Sequence, residues 1–457
     1  MGIFLVFLIL FGVCWALLKG WPAQAVLLFS GMLMLILASL LGYDYLIGFN
    51  EGSNFSFVRV MTIVSSQFSK SLSGVGLMIM SIGGFVAYSD HIGASNELVR
   101  QTLSGVKKLR LSPPLTCVAI LPLMQLIFVC IPSAAGCACL FMVSVFPVLV
   151  GLGVSRASAV SVITGSTAFG MGPASAITAS ASSIANIPIV DYFIQYQIPT
   201  VWPLMLVMAI SYYLVNRYFD GKQGKAFRAP PINPSDTVKQ NDVPSLFTLI
   251  PILPIILLVS VYLINEYTDF SIVLNTTMAM IISWIIALIA FSLKMKSIKS
   301  AMDSSNIFWK GMSDIFISVV TLVITAGVFA KGLISLGFIQ GMIDGAQYLG
   351  LGSSLVLVVF TLLVFLSSIL MGSGNAAFFS FGPLIPSIAA KFGVNSINLI
   401  LPMNLAASLG RTVSPISGVI LATSSIADVP VSEIVKRNAI PITVALLLML
   451  LIQIILL

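Results

Sequence analysis

Two polar stretches inside apolar sequence hold the residues that could do chemistry: MGSGN at 371–375 and LGRTVSPISG at 409–418. The second contains Arg411, whose guanidinium is costly to bury in a membrane unless it is paired. All fifteen Asp and Glu residues fall in predicted loops or at segment ends. The partner of Arg411 is therefore either backbone carbonyl groups or an incoming anion, and a carboxylate suits a guanidinium best. The alternative is that Arg411 snorkels to the surface or caps a helix.

The first half of the chain has matching stretches, CIPSAAG at 130–136 and GSTAFGMGPAS at 165–175. Glycine lets a backbone approach a ligand, proline ends a helix, and an interrupted helix presents N–H groups and partial positive charge to an anion. These stretches predict a carboxylate site, although Ser and Asn at the tips also suit turns that touch no ligand. The predicted substrate-binding residues are Ser133, Gly136, Ser166, Thr167, Ser373, Gly374, Asn375, Arg411, Thr412 and Ser414.

The composition places these stretches in a polytopic membrane protein. Hydrophobic residues make up 58% of the 457 residues and charged residues 8%, and several apolar runs are long enough to cross a bilayer as helices. The net charge of +7 is spread over loops, so nucleic acid is not an expected partner. Five cysteines without paired metal-ligand spacing predict neither a disulfide nor a metal site.

An internal repeat organises the chain. SSIANIP at 182–188 returns as SSIADVP at 424–430, a shift of 242 residues that also relates Pro173 to Pro415 and Pro199 to Pro441. Repeats of this kind in transporters are commonly inverted across the membrane, with the site between them. We therefore predict an all-α protein of two inverted repeats, each with five transmembrane helices, a re-entrant hairpin and a broken helix.

The predicted boundaries follow from this repeat. The first repeat covers 1–215, with a hairpin at 114–150 and a broken helix at 154–187; a hydrophilic cytoplasmic linker covers 216–244. The second repeat covers 245–457, with a hairpin at 353–390 and a broken helix at 396–427. With ten spans and both termini periplasmic, 17 Lys and Arg residues lie inside and 4 outside, as the positive-inside rule requires.

The sequence offers little for catalysis. No buried His or Asp accompanies the serines of the tips, so an enzyme is not expected. A channel is an alternative, although paired hairpins favour alternating access. No cofactor is predicted. The absence of carboxylates at depth argues against an Asp or Glu proton relay, and either Na⁺ or H⁺ remains open as a coupling ion.

Several stretches resemble one family nearly end to end. They are GSGNAAFFSF at 372–381, LGRTVSPISGV at 409–419, EIVKRNAIP at 433–441, FAKGLISLGFIQ at 329–340 and FPVLVGLGVSR at 146–156. The sequence resembles the DcuC family of anaerobic C4-dicarboxylate carriers of bacterial inner membranes. The resemblance implies secondary transport of succinate, fumarate, malate or related acids, by exchange or ion-coupled symport with elevator-like movement. Related folds also suggest a homodimer.

The substrate class has an alternative. Similar scaffolds carry monocarboxylates and sugar acids, and the sequence contains no second arginine at depth that would favour a dicarboxylate.

Overall fold

The protein is entirely helical wherever its structure is defined. The computed structural model describes residues 2–19, 21–42, 56–104, 112–223, 243–268, 270–338, 340–341 and 352–456, and every regular element among them is a helix. Helices suit a bilayer because each satisfies its own backbone hydrogen bonds away from water. The prediction of an all-α polytopic membrane protein is confirmed.

Each half of the sequence forms a series of α-helices. In the first half they are Gly2–Leu18, Ala23–Leu40, Ser56–Ser71, Leu77–His91, Ala94–Ser104, Pro113–Cys130, Ala134–Ser144, Phe146–Gly151, Arg156–Gly165, Ala176–Ala185, Ile189–Asp191 and Ile198–Gln223. In the second half they are Leu253–Tyr267, Thr276–Met295, Ile298–Ser304, Asn306–Ile315, Thr321–Ser335, Ser353–Met371, Gly374–Phe381, Ile385–Phe392, Ser396–Thr412, Gly418–Ala427 and Val431–Leu456. Short 3₁₀ segments cover Ser245–Leu249 and Gly382–Leu384.

Nine helical stretches within the described residues are long and apolar enough to cross a membrane. They are Ala23–Leu40, Phe57–His91, Pro113–Cys130, Ala134–Gly151, Ile189–Lys222, Thr276–Met295, Ile298–Ser335, Ser353–Met371 and Val431–Ile455. Three of these nine are stretches that the sequence assigns to hairpin arms: Pro113–Cys130, Ala134–Gly151 and Ser353–Met371. The number of crossings and the inversion of the repeats stay predictions.

Wider helical turns interrupt corresponding long helices of the two halves. The π-helical segment Leu72–Gly76 continues Ser56–Ser71, and the π-helical segment Phe316–Val320 continues Asn306–Ile315. Their starting residues are separated by nearly the same shift as the sequence repeat. Such segments are uncommon and are found often at functional positions. A third, Tyr192–Gln197, precedes Ile198–Gln223.

Glycines bring the two halves into close contact. A Cβ atom added at Gly31 would lie 2.7 Å from the backbone nitrogen of Phe329, and one added at Gly84 would lie 2.8 Å from the carbonyl oxygen of Phe308. Each glycine therefore lets two helices from different halves pack backbone against backbone, as small residues do between membrane helices.

The helix Ile198–Gln223 extends into the stretch 216–244 that the sequence assigns to the linker. The helix Ile198–Gln223 continues past residue 215, and its last turns bury Asn216, whose Oδ1 accepts from Ser161 and Arg437. Residues 224–242 of the predicted linker lie outside the described residues.

Candidate functional site

The second hairpin turns at Gly372 and Ser373, between Ser353–Met371 and Gly374–Phe381. Gly372 has a φ of +67°, which favours glycine. A Cβ at Gly372 would lie 2.9 Å from the carbonyl oxygen of Ile416, and one at Gly374 would lie 2.6 Å from that of Ala407. The tip therefore rests directly on the second broken helix, which consists of Ser396–Thr412 and Gly418–Ala427.

The hydroxyl of Ser373 caps its own helix, accepting a hydrogen bond from the backbone N–H of Ala376 at 3.3 Å. Asn375, in the first turn of that helix, is partly buried. Its side chain makes no hydrogen bond within the described part of the chain. Of the two polar side chains at this tip, Asn375 is therefore the one that keeps its hydrogen-bonding groups for a ligand.

The first hairpin turns between Pro113–Cys130 and Ala134–Ser144. Ser133 accepts from the backbone N–H of Gly136 at 3.3 Å, as Ser373 does at the other tip. No hydrogen bond among the described residues links Ser133 or Gly136 to Arg411.

The first broken helix consists of Arg156–Gly165 and Ala176–Ala185. The hydroxyls of Ser166 and Thr167 are buried and donate to the carbonyl oxygens of Ile163 and Thr164, at 2.7 and 2.9 Å. Both hydroxyls therefore give their protons to the helix that carries them, which leaves only their lone pairs for a ligand.

The two predicted hydroxyls of the second break also donate to backbone. Thr412 donates to the carbonyl oxygen of Ser408 at 3.0 Å, and Ser414 donates to that of Ile369 at 2.6 Å. The Ser414 bond ties the second break to the first arm of the second hairpin. These side chains hold the break in shape.

Arg411 joins the two breaks. Its Nη2 donates to the carbonyl oxygen of Thr167 at 2.6 Å, and its Nε is buried without a hydrogen-bond partner in the described structure. A guanidinium offers five N–H donors, so the Thr167 carbonyl satisfies only part of it. The structure thus brings Arg411 to Thr167, next to a tip that carries Asn375, and keeps donors on Arg411 that an anion could use.

Sequence reasoning missed two buried amides that hold the breaks together. Gln197 accepts from the backbone N–H of Gly172 at 3.0 Å and donates to Thr178 Oγ1 and Asn404 Oδ1 at 3.0 and 2.8 Å. Gln197 therefore connects the first break to the second broken helix. An amide two residues before Pro199, the proline that the repeat relates to Pro441, was the available signal.

Asn438, in the second half of the chain, also connects the two broken helices. Its Nδ2 donates to Thr164 Oγ1 and to the Thr412 carbonyl oxygen, both at 2.9 Å, and its Oδ1 accepts from the Tyr212 hydroxyl at 3.0 Å. Asn438 lies three residues before Pro441, the repeat counterpart of Pro199. Each amide crosses to the other half of the chain.

The sequence also missed a buried ion cluster. Arg437 is counted among the inside loop cations by its sequence position, yet its side chain is 0% exposed. It donates to Asp220 Oδ1 at 2.8 Å, Glu433 Oε1 at 2.9 Å, Ser158 Oγ at 3.0 Å and Asn216 Oδ1 at 3.2 Å. Asp220 and Glu433 are acidic residues at helix ends, as expected, but they pair with a buried cation.

The stretches that form the two tips and breaks are among those that carry the family resemblance. A profile of the DcuC family, described as "C4-dicarboxylate anaerobic carrier", matches residues 1–457. The chain belongs to the DcuC family. The resemblance found in the sequence is confirmed, and the family consists of transporters rather than enzymes.

Two relatives and one solved structure extend the comparison. This DcuC-family chain is 32% identical to the "Probable anaerobic C4-dicarboxylate transporter DcuC" of Vibrio cholerae over 437 residues, 95% of this chain and 94% of that protein. It is 30% identical to the "Anaerobic C4-dicarboxylate transporter DcuC" of Escherichia coli K12 over 440 residues, 96% of this chain and 93% of that protein. The crystal structure of the Alcanivorax borkumensis YdaH transporter shares the fold, with a TM-score of 0.60, 13% identity and coverage of 95% of this chain and 98% of that one.

The family and the apolar helices together make this DcuC-family chain a multi-pass protein of the bacterial inner membrane. Its setting is therefore the lipid bilayer.

Proposed function

We propose that the protein is a secondary carrier of C4-dicarboxylates such as succinate, fumarate and malate, which bind between the two breaks. The observation that carries this proposal is Arg411: among the described residues it is held by a single carbonyl oxygen at the junction of the breaks, and its Nε has no partner there. A carboxylate supplies the paired acceptors that this guanidinium lacks. The names of the Vibrio cholerae and Escherichia coli relatives support the same substrate class.

The packing of the helices supports an elevator-like mechanism. Two groups of helices can be distinguished by their contacts. The first group contains the tips, the broken helices, Ile198–Gln223 and Val431–Leu456, which pack on one another. The second group contains Ala23–Leu40 and Thr321–Ser335, which pack together. The second hairpin contacts this second group through Gly374–Phe381. Sliding of the first group along the second would carry the site across the membrane. In this proposal 1–215 and 245–457 are two inverted repeats, and both termini are periplasmic.

Counterflow in proteoliposomes tests the proposal. Vesicles preloaded with unlabelled fumarate, aspartate, gluconate or lactate are given external labelled succinate, and a saturable, transient accumulation is expected with fumarate and aspartate. Accumulation driven by lactate or gluconate alone would assign another carboxylate to the scaffold. Succinate flux that does not saturate would assign a channel. The same vesicles, with imposed Na⁺ or pH gradients, distinguish ion-coupled symport from exchange.

A further inference from the structure

Two buried serines occupy matched positions at the starts of the second halves of the broken helices. Ser175 precedes Ala176–Ala185 and Ser417 precedes Gly418–Ala427, each as the N-cap residue. The 242-residue shift of the repeat relates them. Their exposed fractions are 5% and 0%, so both hydroxyls lie inside the protein.

Neither hydroxyl does what an N-cap serine normally does. Such a serine accepts a hydrogen bond from a backbone N–H of the first turn, yet neither Ser175 nor Ser417 makes this bond. Ser417 Oγ is enclosed without any partner among the described residues, and Ser175 has no described side-chain hydrogen bond either. A buried hydroxyl without a partner is unfavourable, so Ser417 calls for a group that the protein itself does not supply, and Ser175 offers an unbonded hydroxyl at the matched position.

The serines of the hairpin tips provide the contrast. Ser133 and Ser373 also sit at helix starts, and both accept from their own first turns. The N-termini at the tips are therefore already capped by side chains. Those behind Ser175 and Ser417 keep their first N–H groups and the partial positive charge of the helix end, which together attract anions.

Both uncapped helix starts belong to the breaks that the bond from Arg411 to Thr167 joins. Each of these half-helices packs on the broken helix of the other half: Ala176–Ala185 on Ser396–Thr412, and Gly418–Ala427 on Arg156–Gly165. The first residue of the second half-helix is not crowded, because a Cβ added at Gly418 would meet no atom within 4 Å.

We propose that Ser175 and Ser417 are a matched pair of carboxylate-binding positions, each working with the N-terminus of the half-helix behind it. One carboxylate of a dicarboxylate binds at each serine, and Arg411 adds its charge from the second break. The partial positive charges of the two helix N-termini thus stabilise the second carboxylate, as a second buried arginine would. This inference rests on the proposed function and names the residues that select two carboxylates over one.

Alanine variants test the pair in the counterflow assay. For Ser175→Ala and Ser417→Ala we expect the half-saturating succinate concentration to rise about tenfold, since each loses a hydrogen bond to a charged group. Inhibition by butyrate, which has the same chain length and one carboxylate, should change less than about twofold, because one position remains intact. Ser283→Ala is the matched control, since Ser283 is equally buried and donates to its own helix at Ala279.

An equal loss of succinate and butyrate binding, or unchanged succinate affinity in both variants, would overturn the inference. Ser175→Asp and Ser417→Asp give a second measurement. Aspartate caps a helix well and places a fixed carboxylate where the substrate carboxylate would bind, so we expect folded protein without succinate counterflow. Aspartate variants with wild-type affinity would also overturn the inference. If the wild-type protein shows no counterflow of any dicarboxylate, the proposed function fails instead.

Discussion

Arg411 is the predicted site residue whose surroundings the structure defines most directly. Its sequence position left two partners open, a backbone carbonyl or an anion. The structure supplies the carbonyl of Thr167, and no other described residue is a hydrogen-bond partner of Nε. The first bond positions the side chain across the two breaks, and the remaining donors point to a ligand with more than one acceptor atom.

Replacing Arg411 tests this reading at the scale of one side chain. Arg411→Lys keeps the charge but not the paired geometry, so the protein should fold while the half-saturating succinate concentration rises roughly 10- to 100-fold, the equivalent of about 1.5–3 kcal/mol for a hydrogen bond to a charged group. Counterflow at varied succinate concentration measures it. Arg217→Lys, at an exposed arginine, is the control, and unchanged affinity in Arg411→Lys would remove Arg411 from the site.

Among the helices, the contact between the second hairpin and the second broken helix depends on glycine. A Cβ added at Gly410 would collide with the carbonyl oxygen of Phe365 on the first arm. The Ser368 hydroxyl donates to the Ala407 carbonyl at 2.6 Å beside this contact. The arm and the broken helix are therefore in direct backbone contact at this point.

Gly410→Ala should separate these two helices. Alanine normally stabilises a helix interior relative to glycine, but here overpacking should cost about 1–3 kcal/mol. The measurement is the thermal unfolding temperature in detergent. Gly12→Ala is the matched control, since Gly12 is also helical and has no atom within 4 Å of the added Cβ; an equal effect of both substitutions would contradict the packing argument.

The Arg437 cluster fastens three helix ends: Arg156–Gly165, Ile198–Gln223 and Val431–Leu456. Arg437→Met should destabilise the protein by at most about 3–5 kcal/mol, because it removes a fully buried cation from Glu433 and Asp220, whose side chains are 12% and 31% exposed. Arg217→Met provides the comparison: Arg217 is exposed and its Nη1 donates to the Tyr213 hydroxyl at 3.2 Å, and a surface substitution of this kind changes stability by about 0.5 kcal/mol or less. Chemical denaturation of both variants measures the difference, and similar losses would show that burial does not set the strength of the Arg437 pairs.

At the scale of the whole molecule, each half of the chain makes a similar amide hydrogen bond to the other half. Gln197 reaches Asn404, and Asn438 reaches Thr164, each from the last long helical stretch of one half to the broken helix of the other. This exchange is what two repeats around a shared site would produce. Membrane orientation is a separate matter, since the charge distribution alone predicts it.

Cysteine labelling tests the orientation. In a background without the five native cysteines, a single cysteine within 224–242 should react with a membrane-impermeant reagent only after the cells are permeabilised, because the positive-inside rule places this basic stretch in the cytoplasm. A cysteine added before residue 2 should react in intact cells. Labelling of the 224–242 position from the periplasm would reject the predicted topology.

The sequence by itself determined the helical membrane character, the repeat, the two tips and two breaks, and Arg411. These features depend on local composition: apolar runs form helices in lipid, and Gly, Pro and Ser interrupt them. Each can be seen within a stretch of some tens of residues or by comparing two such stretches.

Only the tertiary structure decided how the polar groups pair. Ser133 and Ser373 cap their own helices while Ser175 and Ser417 do not, and Arg437 is buried rather than exposed in a loop. The two buried arginines find partners in the opposite half of the chain: Thr167 for Arg411, and Ser158, Asn216 and Asp220 for Arg437. Hydrogen bonding and burial depend on which helices pack together, and the order of residues along one helix does not specify its neighbour.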